Sequence, residues 1–262
     1  MLKKRLIPVL LLKNTVLVRS EEFRTHQVIG NPVNEVKRFN EWNVDELVYL
    51  DITRDQGYHT ARDDHKVKAL QDPMSVIEAV AKTCFMPLTW GGGVRSVERM
   101  RELINHGADK ISINSEAFRN PSLITAGAKA FGCQAVIVSI DAFRHPDGRL
   151  EVFIDGGRTA TGRAPADWAK QAQECGAGEI LLQSINRDGM GTGYDLDLVH
   201  DVSSATTIPV IACGGVGRFE DYAEGVKSGA SAVAAANIWH FKELSDRAGR
   251  RALQKAGIDV RA

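Results

Sequence analysis

The chain has 262 residues, of which 44% are hydrophobic and 25% charged, a composition typical of a globular protein with a sizeable core. Its 33 lysine and arginine residues equal its 33 aspartate and glutamate residues, so bulk charge argues against a nucleic-acid or membrane-surface partner. No segment of the sequence approaches the roughly 18 consecutive apolar residues of a membrane span.

The N-terminal segment resembles a secretory signal only superficially. Its apolar run covers residues 6–12, contains Pro8 and ends at Lys13 without a small-residue cleavage site. Four cysteines are scattered along the chain: Cys84, Cys133, Cys175 and Cys213. They form no C-x-x-C pair and are expected to be reduced thiols, so the sequence predicts a cytoplasmic protein.

Eight apolar runs of strand length alternate with segments of helical periodicity. The predicted strands are Leu6–Leu12, Leu47–Ile52, Pro87–Trp90, Lys110–Ile113, Ala135–Ile140, Glu179–Ser184, Pro209–Cys213 and Ala232–Ala236. This alternation predicts a parallel sheet covered by helices on both faces. Eight such units most economically close into a single (β/α)8 TIM barrel over residues 1–262, and a doubly wound open sheet is the alternative.

The two halves of the chain repeat each other. The run from Pro209 into Gly214 and Gly215 echoes the run from Pro87 into Gly91–Gly93. Two further segments also correspond: Val44–Leu47 with Ala177–Ile180, and Gly107–Lys110 with Gly229–Ala232. The second, third and fourth predicted strands therefore match the sixth, seventh and eighth, which predicts a twofold half-barrel repeat.

The paired glycine turns predict two anion sites. Backbone N–H groups at consecutive glycines approach an anion closely because no side chain shields them. Ser115 in one half, and Asp188 with Gly189 in the other, stand at loop starts where they can add donors. Two such sites suit a ligand with a phosphate at each end, whereas a lone glycine pair could be a mere tight turn.

Two acidic residues are candidates for chemistry because barrel active sites form at the ends of the strands. Asp141 follows the apolar fifth strand and could act as a general acid or base, or else as a helix N-cap or loop ion-pair partner. Asp51 interrupts an apolar strand, which is costly unless it is partnered, so it is functional or a structural partner.

Four charged residues stand at the starts of the first, second, fourth and sixth predicted strands: Arg5, Glu46, Lys110 and Glu179. Alternating strands of a barrel bring such residues into one layer around its axis. Two cations and two carboxylates there predict a charged ring that closes the bottom of the barrel as a plug or a gate. The alternative is a solvated rim.

Two long stretches after strands, 53–73 and 144–165, are candidate lids. The second contains a hairpin signal, the run Leu150–Ile154 followed by Asp155-Gly156-Gly157. The first contains His59 and His65, but no matching ligand cluster is apparent. The sequence therefore predicts no metal and no other cofactor.

Motifs along nearly the whole chain resemble one enzyme family. They are Arg5–Pro8, Asp45–Thr53, Trp90–Val94, Gly107–Asn114, Ser139–Ala142, Arg187–Gly189 and Trp239–Phe241. The chain resembles the cyclase subunit of imidazole glycerol phosphate synthase, a lyase of histidine biosynthesis. The resemblance implies a TIM barrel paired with a glutaminase subunit, whose ammonia passes up the barrel to a bis-phosphorylated ribotide that is cleaved and cyclised.

Carried over position by position, the resemblance implies roles for individual residues. The ammonia gate is assigned to Arg5, Glu46, Lys110 and Glu179, and docking of the glutaminase to the neighbourhood of Asp109 and Gln134. Phosphate binding is assigned to Gly93, Asn114 and Ser115 in one half and to Gly189, Gly214, Gly215 and Asn237 in the other. Asp141 matches one of the two catalytic aspartates.

The chain departs from the family at the other catalytic aspartate. Where the family reads Cys-Leu-Asp-Val, the first strand here reads Val9–Leu12, so Leu11 takes the place of the acid. The internal repeat reaches the same position, because Leu11 is the counterpart of Asp141. Loss of one member of a proton-transfer pair costs about 10²–10⁴ in rate. The family's Lys-Gly in the first loop is also replaced, by Arg19 and Ser20.

Three functional hypotheses follow. The first is a divergent paralogue that takes ammonia from a glutaminase and works with a separate sugar amidotransferase. There the ammonia converts an acetamido group to an acetamidino group during surface-polysaccharide (lipopolysaccharide) synthesis. The second is an authentic cyclase in which another group replaces the missing acid. The third is a non-catalytic scaffold or activator of the glutaminase.

Overall fold

The computed structural model describes residues 3–53, 70, 72–242 and 244–261. Its strands are β1 (Arg5–Lys13), β2 (Val16–Glu21), β3 (Thr25–Gly30), β4 (Leu47–Asp51), β5 (Leu88–Gly91), β6 (Lys110–Ile113), β7 (Val136–Arg144), β8 (Leu150–Ile154), β9 (Thr159–Ala160), β10 (Glu179–Ser184), β11 (Val210–Cys213) and β12 (Ala232–Ala235). The predicted long loop that carries His59 and His65 lies outside the described residues, apart from its ends.

The helices cover the outside of the sheet. They are α1 (Pro32–Glu41), α2 (Pro73–Ala81), α3 (Val97–Asn105), α4 (Ser115–Arg119), α5 (Ser122–Phe131), α6 (Pro165–Glu174), α7 (Leu196–Ala205), α8 (Glu220–Lys227), α9 (Ile238–Phe241) and α10 (Ser245–Lys255). Within the described residues, none of these helices has the length and apolar content needed to cross a bilayer.

Eight parallel strands close into a barrel. The ladder runs β1, β4, β5, β6, β7, β10, β11 and β12, and β12 returns to pair with β1. Parallel pairing of β7 with β10, from Glu179 opposite Ile137 to Ser184 opposite Ala142, completes the circle. The predicted (β/α)8 barrel is therefore confirmed, and the open-sheet alternative is wrong because the sheet has no free barrel edge.

Two antiparallel hairpins extend from the barrel at equivalent places. β1 continues into β2 and β3, and β7 continues into β8 and β9. The β8–β9 hairpin follows the predicted signal, with its turn at Asp155–Arg158. The β2–β3 hairpin is not predicted, because its turn uses Glu22 and Phe23 at positive φ, +49° and +60°, rather than glycine or asparagine.

The pleat of the strands divides the apolar side chains into two cores. Along β1, Leu6 and Leu10 pack outward against the helices, whereas Ile7 and Val9 point inward. The outer core contains the largest buried side chains, and the inner core fills the barrel interior. The interior is therefore lined by apolar side chains over most of its height.

Tyr49 gives a test of the packing between barrel and helices. It is fully buried, stacks on Trp90 with ring centroids 5.6 Å apart, and donates a hydrogen bond of 2.7 Å to the Pro32 carbonyl. Tyr49→Phe removes this hydrogen bond from a fully buried site, so we expect the free energy of unfolding to fall by about 0.5–1.5 kcal/mol in denaturant titrations.

Tyr222 provides the matched control. Its side chain is also fully buried, but its hydroxyl has no hydrogen-bond partner among the described residues. Tyr222→Phe should leave the free energy of unfolding unchanged or raise it. An equal loss of stability in the two variants would contradict this account of the outer core.

Candidate functional site at the carboxyl end of the barrel

A cavity of about 320 Å³ lies at the carboxyl ends of the barrel strands, and we call it the mouth. This is the face at which the catalytic groups of TIM barrels gather. Residues predicted from the sequence meet in the mouth, among them Leu11, Asp51, Gly93, Asn114, Ser115 and Asp141. Its volume suits a small organic ligand.

Leu11 and Asp141 occupy equivalent positions in the two halves. Leu11 pairs across to β4 and to the hairpin strand β2, and Asp141 pairs across to β10 and to the hairpin strand β8. Both are buried, with exposed fractions of 8% and 4%. Asp141 lies inside β7, so the alternative reading of this residue as a helix N-cap is wrong.

Polar residues that were not predicted from the sequence surround Asp141. The Gln183 amide donates to Asp141 Oδ1 and to Ser139 Oγ, both at 3.3 Å. Gln183, Ser139 and the nearby Ser112 are buried and line the mouth. Their inward direction follows from the period of two along the strands, which is the signal that could have identified them.

Gly93, Asn114 and Ser115 form what we call the first cradle, in the N-terminal half of the mouth. Gly93 has a φ of +64°, and a Cβ there would meet no atom within 4 Å. The Ser115 hydroxyl accepts a hydrogen bond of 2.8 Å from the Asp155 backbone N–H. Arg95 is exposed at the rim and has no carboxylate partner among the described residues.

The hairpin that follows β7 is fixed beside the first cradle. Arg119 of α4 donates two hydrogen bonds of 2.7 Å to the carboxylate of Asp155, and Thr159 donates another of 3.0 Å. Because of these bonds, the pKa of Asp155 is lowered although burial opposes the shift. Asp155 is therefore a structural anion that holds Arg119 at the mouth.

Asp188, Gly189, Gly214, Gly215 and Asn237 form the second cradle, in the C-terminal half. They line a smaller cavity of about 20 Å³, which shares Leu11 and Gln183 with the mouth. Both Gly214 and Gly215 have positive φ, and a Cβ on Gly215 would lie 2.1 Å from the Gly193 carbonyl oxygen. This close approach of two backbone segments requires glycine.

Burial shifts the pKa of two groups in the second cradle. It raises the pKa of Asp188, against the opposing hydrogen bonds from Ser20 and Phe23. Burial, with the neighbouring charges of Asp188 and Asp141, raises the pKa of Cys213 to about 12. The Cys213 thiol therefore stays protonated near neutral pH and cannot serve as a nucleophile.

Arg5, Glu46, Lys110 and Glu179 meet in a closed ring of ion pairs at the opposite end of the barrel. Arg5 Nη1 lies 2.6 Å from Glu46 Oε2, and Arg5 Nη2 also pairs with Glu179. Lys110 Nζ lies 2.7 Å from Glu46 Oε1 and 3.2 Å from Glu179 Oε2. The solvated-rim alternative is wrong, because each charge contacts two of the opposite sign and both glutamates are buried.

The guanidinium of Arg5 stays charged in the ring. Burial opposes ionisation of Arg5, but the hydrogen bonds and charges of Glu179 and Glu46 outweigh it and raise the pKa of the guanidinium. Thr89 adds a hydrogen bond of 3.1 Å to Glu46 Oε1. Above the ring the interior is apolar up to Leu11, with Ile7, Val9, Val48, Leu181 and Ile211 among its lining residues.

Asp109 lies just before β6, and Gln134 lies within the short turn 133–135 that precedes β7, so both are on the same face as the ring. Both residues are exposed. One carboxylate oxygen of Asp109 accepts a hydrogen bond of 2.8 Å from the Leu88 N–H, so the residue also joins two strand starts. Docking of a glutaminase at these residues stays a prediction.

Two further predicted residues are held by contacts with their neighbours. Asp51 lines the mouth and accepts a hydrogen bond of 3.0 Å from the Thr53 N–H. Arg19 is held on the hairpin by Gln27 at 2.6 Å and by Glu21 at 3.2 Å. Among the described residues, no group of three or more histidine, cysteine, aspartate or glutamate side chains is arranged to hold a metal.

Comparison with known proteins identifies the family of the chain. A family model described as "Histidine biosynthesis protein" matches residues 5–245. Over 262 residues and the full length of both proteins, the chain is 41% identical to imidazole glycerol phosphate synthase subunit HisF of Alkaliphilus metalliredigens. It is also 41% identical over 261 residues to the subunit of that name from Gluconacetobacter diazotrophicus, covering 97% of that relative. The chain therefore belongs to the family of imidazole glycerol phosphate synthase HisF subunits.

Proposed function

We propose that this chain is a HisF-type synthase subunit that receives ammonia from a partner glutaminase and passes it through the barrel to an acceptor other than the family's ribotide. In this proposal the acceptor is an acetamido sugar, converted to its acetamidino form by a separate amidotransferase in surface-polysaccharide synthesis. The observation that carries the proposal is Leu11, a hydrocarbon side chain in the mouth at the position equivalent to Asp141.

The charged ring supports entry of ammonia from the opposite face. Four alternating charges form a neutral closure that a small polar molecule can pass when one ion pair opens. The apolar interior above it then favours neutral ammonia over ammonium, because burying an unpaired charge is very costly. At the upper end, Ser112, Ser139, Gln183 and Asp141 offer the first polar groups that ammonia would meet.

The mouth argues against efficient cyclisation. A proton-transfer mechanism that needs an acid and a base on opposite sides of a substrate requires two ionisable groups at the equivalent positions. Asp141 supplies one, and Leu11 cannot transfer a proton. In this proposal, the first cradle binds a phosphorylated small molecule that serves as a signal to the glutaminase rather than as the cyclisation substrate.

An authentic cyclase is the second candidate, and Asp51 is the observation that favours it. Asp51 lies on β4 next to β1, one residue beyond the Leu50 that pairs with Leu11, and its side chain also lines the mouth. A carboxylate there could replace the missing acid from the neighbouring strand. The 41% identity to HisF subunits over the whole chain is compatible with this candidate as well.

Substitution of Leu11 separates the two candidates. Purified protein given ammonium and the bis-phosphorylated ribotide should show essentially no cyclase activity, and Leu11→Asp should raise it measurably. A gain of about 10²-fold or more is the scale expected for restoring one member of a proton-transfer pair. Product formation is followed directly by chromatography.

Leu11→Asn is the matched control, because it has the same shape as the aspartate variant but no ionisable group. It should remain inactive, and thermal unfolding checks that both variants are folded. Robust turnover by the unmodified chain would exclude the proposed function and favour the cyclase. In that case Asp51→Asn should abolish the activity.

Substitution in the ring tests whether ammonia travels through the barrel. Glu46→Gln removes a charge that contacts both Arg5 and Lys110, so it should disturb the closure. In the complex with the glutaminase, we expect glutamine hydrolysis to continue while the amount of aminated product per glutamine falls. Amination driven by added ammonium should not change, since it bypasses the ring.

Glu78→Gln is the matched control for the ring. Glu78 pairs with Lys82 at 2.9 Å on the exposed surface of α2, whereas the ion pairs of the ring are buried. Its substitution should leave the ratio of product to hydrolysed glutamine unchanged. If Glu46→Gln also leaves this ratio unchanged, the chain acts as a passive scaffold and the conduction proposal is wrong.

A further inference from the structure

The second cradle is covered by the chain's own first hairpin. The Ser20 hydroxyl donates a hydrogen bond of 2.6 Å to Asp188 Oδ2, and the Asn237 side-chain amide donates one of 3.1 Å to the Ser20 carbonyl. Ser20 is almost fully buried, with 2% of its surface exposed. Asp188 and Asn237, two residues that were predicted to bind phosphate, therefore both contact Ser20.

The backbone of the hairpin turn adds to this contact. The Phe23 N–H donates to the same Asp188 carboxylate oxygen at 3.2 Å, and the Glu22 N–H donates to the Asp188 carbonyl at 3.0 Å. Gly189 packs so closely that a Cβ on it would lie 2.2 Å from the Ser20 carbonyl oxygen. The segment 20–23 is thus seated directly on the second cradle.

The hairpin leaves little space in the second cradle. The cavity there measures about 20 Å³, against about 320 Å³ for the mouth. A phosphate in the second cradle would also lie near the Asp188 carboxylate, which disfavours a second negative charge.

The first cradle differs in each of these respects. It opens into the mouth of about 320 Å³, and Gly93 is exposed there. Arg95 at its rim has no carboxylate partner among the described residues, and Arg158 also lines the mouth. The two cradles that the internal repeat predicts as equals are therefore unequal in space and in charge.

We infer that the ligand of the mouth carries a single phosphate, bound at Gly93, Asn114 and Ser115, and that the segment 20–23 takes the place of a second phosphate. This inference rests on the proposed binding of a phosphorylated molecule in the first cradle. It gives Ser20 a function: the hydroxyl, which a glycine at this position would lack, fastens the hairpin to Asp188.

Site-resolved titration with inorganic phosphate tests the inference. In amide NMR spectra of the unmodified chain, we expect saturable shifts at Gly93 and Ser115 and none at Gly189, Gly214 or Gly215. Ser20→Gly removes the hydroxyl and should release the hairpin, so that the second group of amides also shifts. Ser20→Ala, which removes the hydroxyl alone, provides a second variant should the glycine variant fail to fold.

Arg24→Gly is the matched control. Arg24 lies exposed in the same turn and does not contact Asp188 through its side chain, so this variant adds flexibility without removing the fastening. It should behave like the unmodified chain. Asn114→Ala should weaken the shifts of the first cradle only.

The outcomes distinguish the inference from the function on which it rests. Saturable shifts in both groups of amides in the unmodified chain would overturn the inference and leave phosphate binding intact. The inference would also be overturned if phosphate shifted the amides of Gly189, Gly214 and Gly215 in neither serine variant. No shift at Gly93 or Ser115 would instead remove phosphate binding at the first cradle, and the inference with it.

Discussion

The ion pairs of Arg5 with Glu46 and Glu179 are the interaction on which the rest of the barrel depends. They join the starts of β1, β4 and β10, and Lys110 adds the start of β6. A buried carboxylate is stable only when it is paired, so each member of the ring requires the others. The ring thus closes one end of an interior that is otherwise apolar.

The charged ring closes the amino end of the barrel, and the candidate catalytic residue Asp141 lies at the carboxyl end. The pleat that turns Arg5 into the ring also turns Ile7, Val9 and Leu11 into the interior, because side chains alternate along a strand. The same alternation brings Asp141 to the mouth from β7. The position of a possible catalytic acid is therefore set by the register of strands whose first residues are charged.

The two halves share a plan but differ at the positions that matter for chemistry. β1 and β7 both extend into hairpins, yet one bears Leu11 and the other Asp141 at equivalent registers. The first hairpin covers the second cradle through Ser20, whereas the second hairpin stands beside an open first cradle through Asp155. Each difference arises from one or two residues on a symmetric frame.

The strands of the barrel could be predicted because their apolar runs are short, continuous and separated by clear helical segments. The meeting of the four charged residues could also be expected, since strand starts in a barrel are neighbours. The first hairpin could not, because a turn through Glu22 and Phe23 has no glycine signal. Nor could the bond from Ser20 to Asp188, which joins residues 168 positions apart without any spacing pattern.

Passage of ammonia through the barrel is tested most directly by following the nitrogen atom itself. Glutamine labelled with ¹⁵N in its side-chain amide is given to this chain with a glutaminase and the proposed sugar amidotransferase, in an excess of unlabelled ammonium. Mass spectrometry of the amidine product measures the fraction of label. Passage through the barrel predicts a product that carries mainly ¹⁵N. A product whose label is diluted to the level of the bulk ammonium would show that the ammonia does not pass through the barrel.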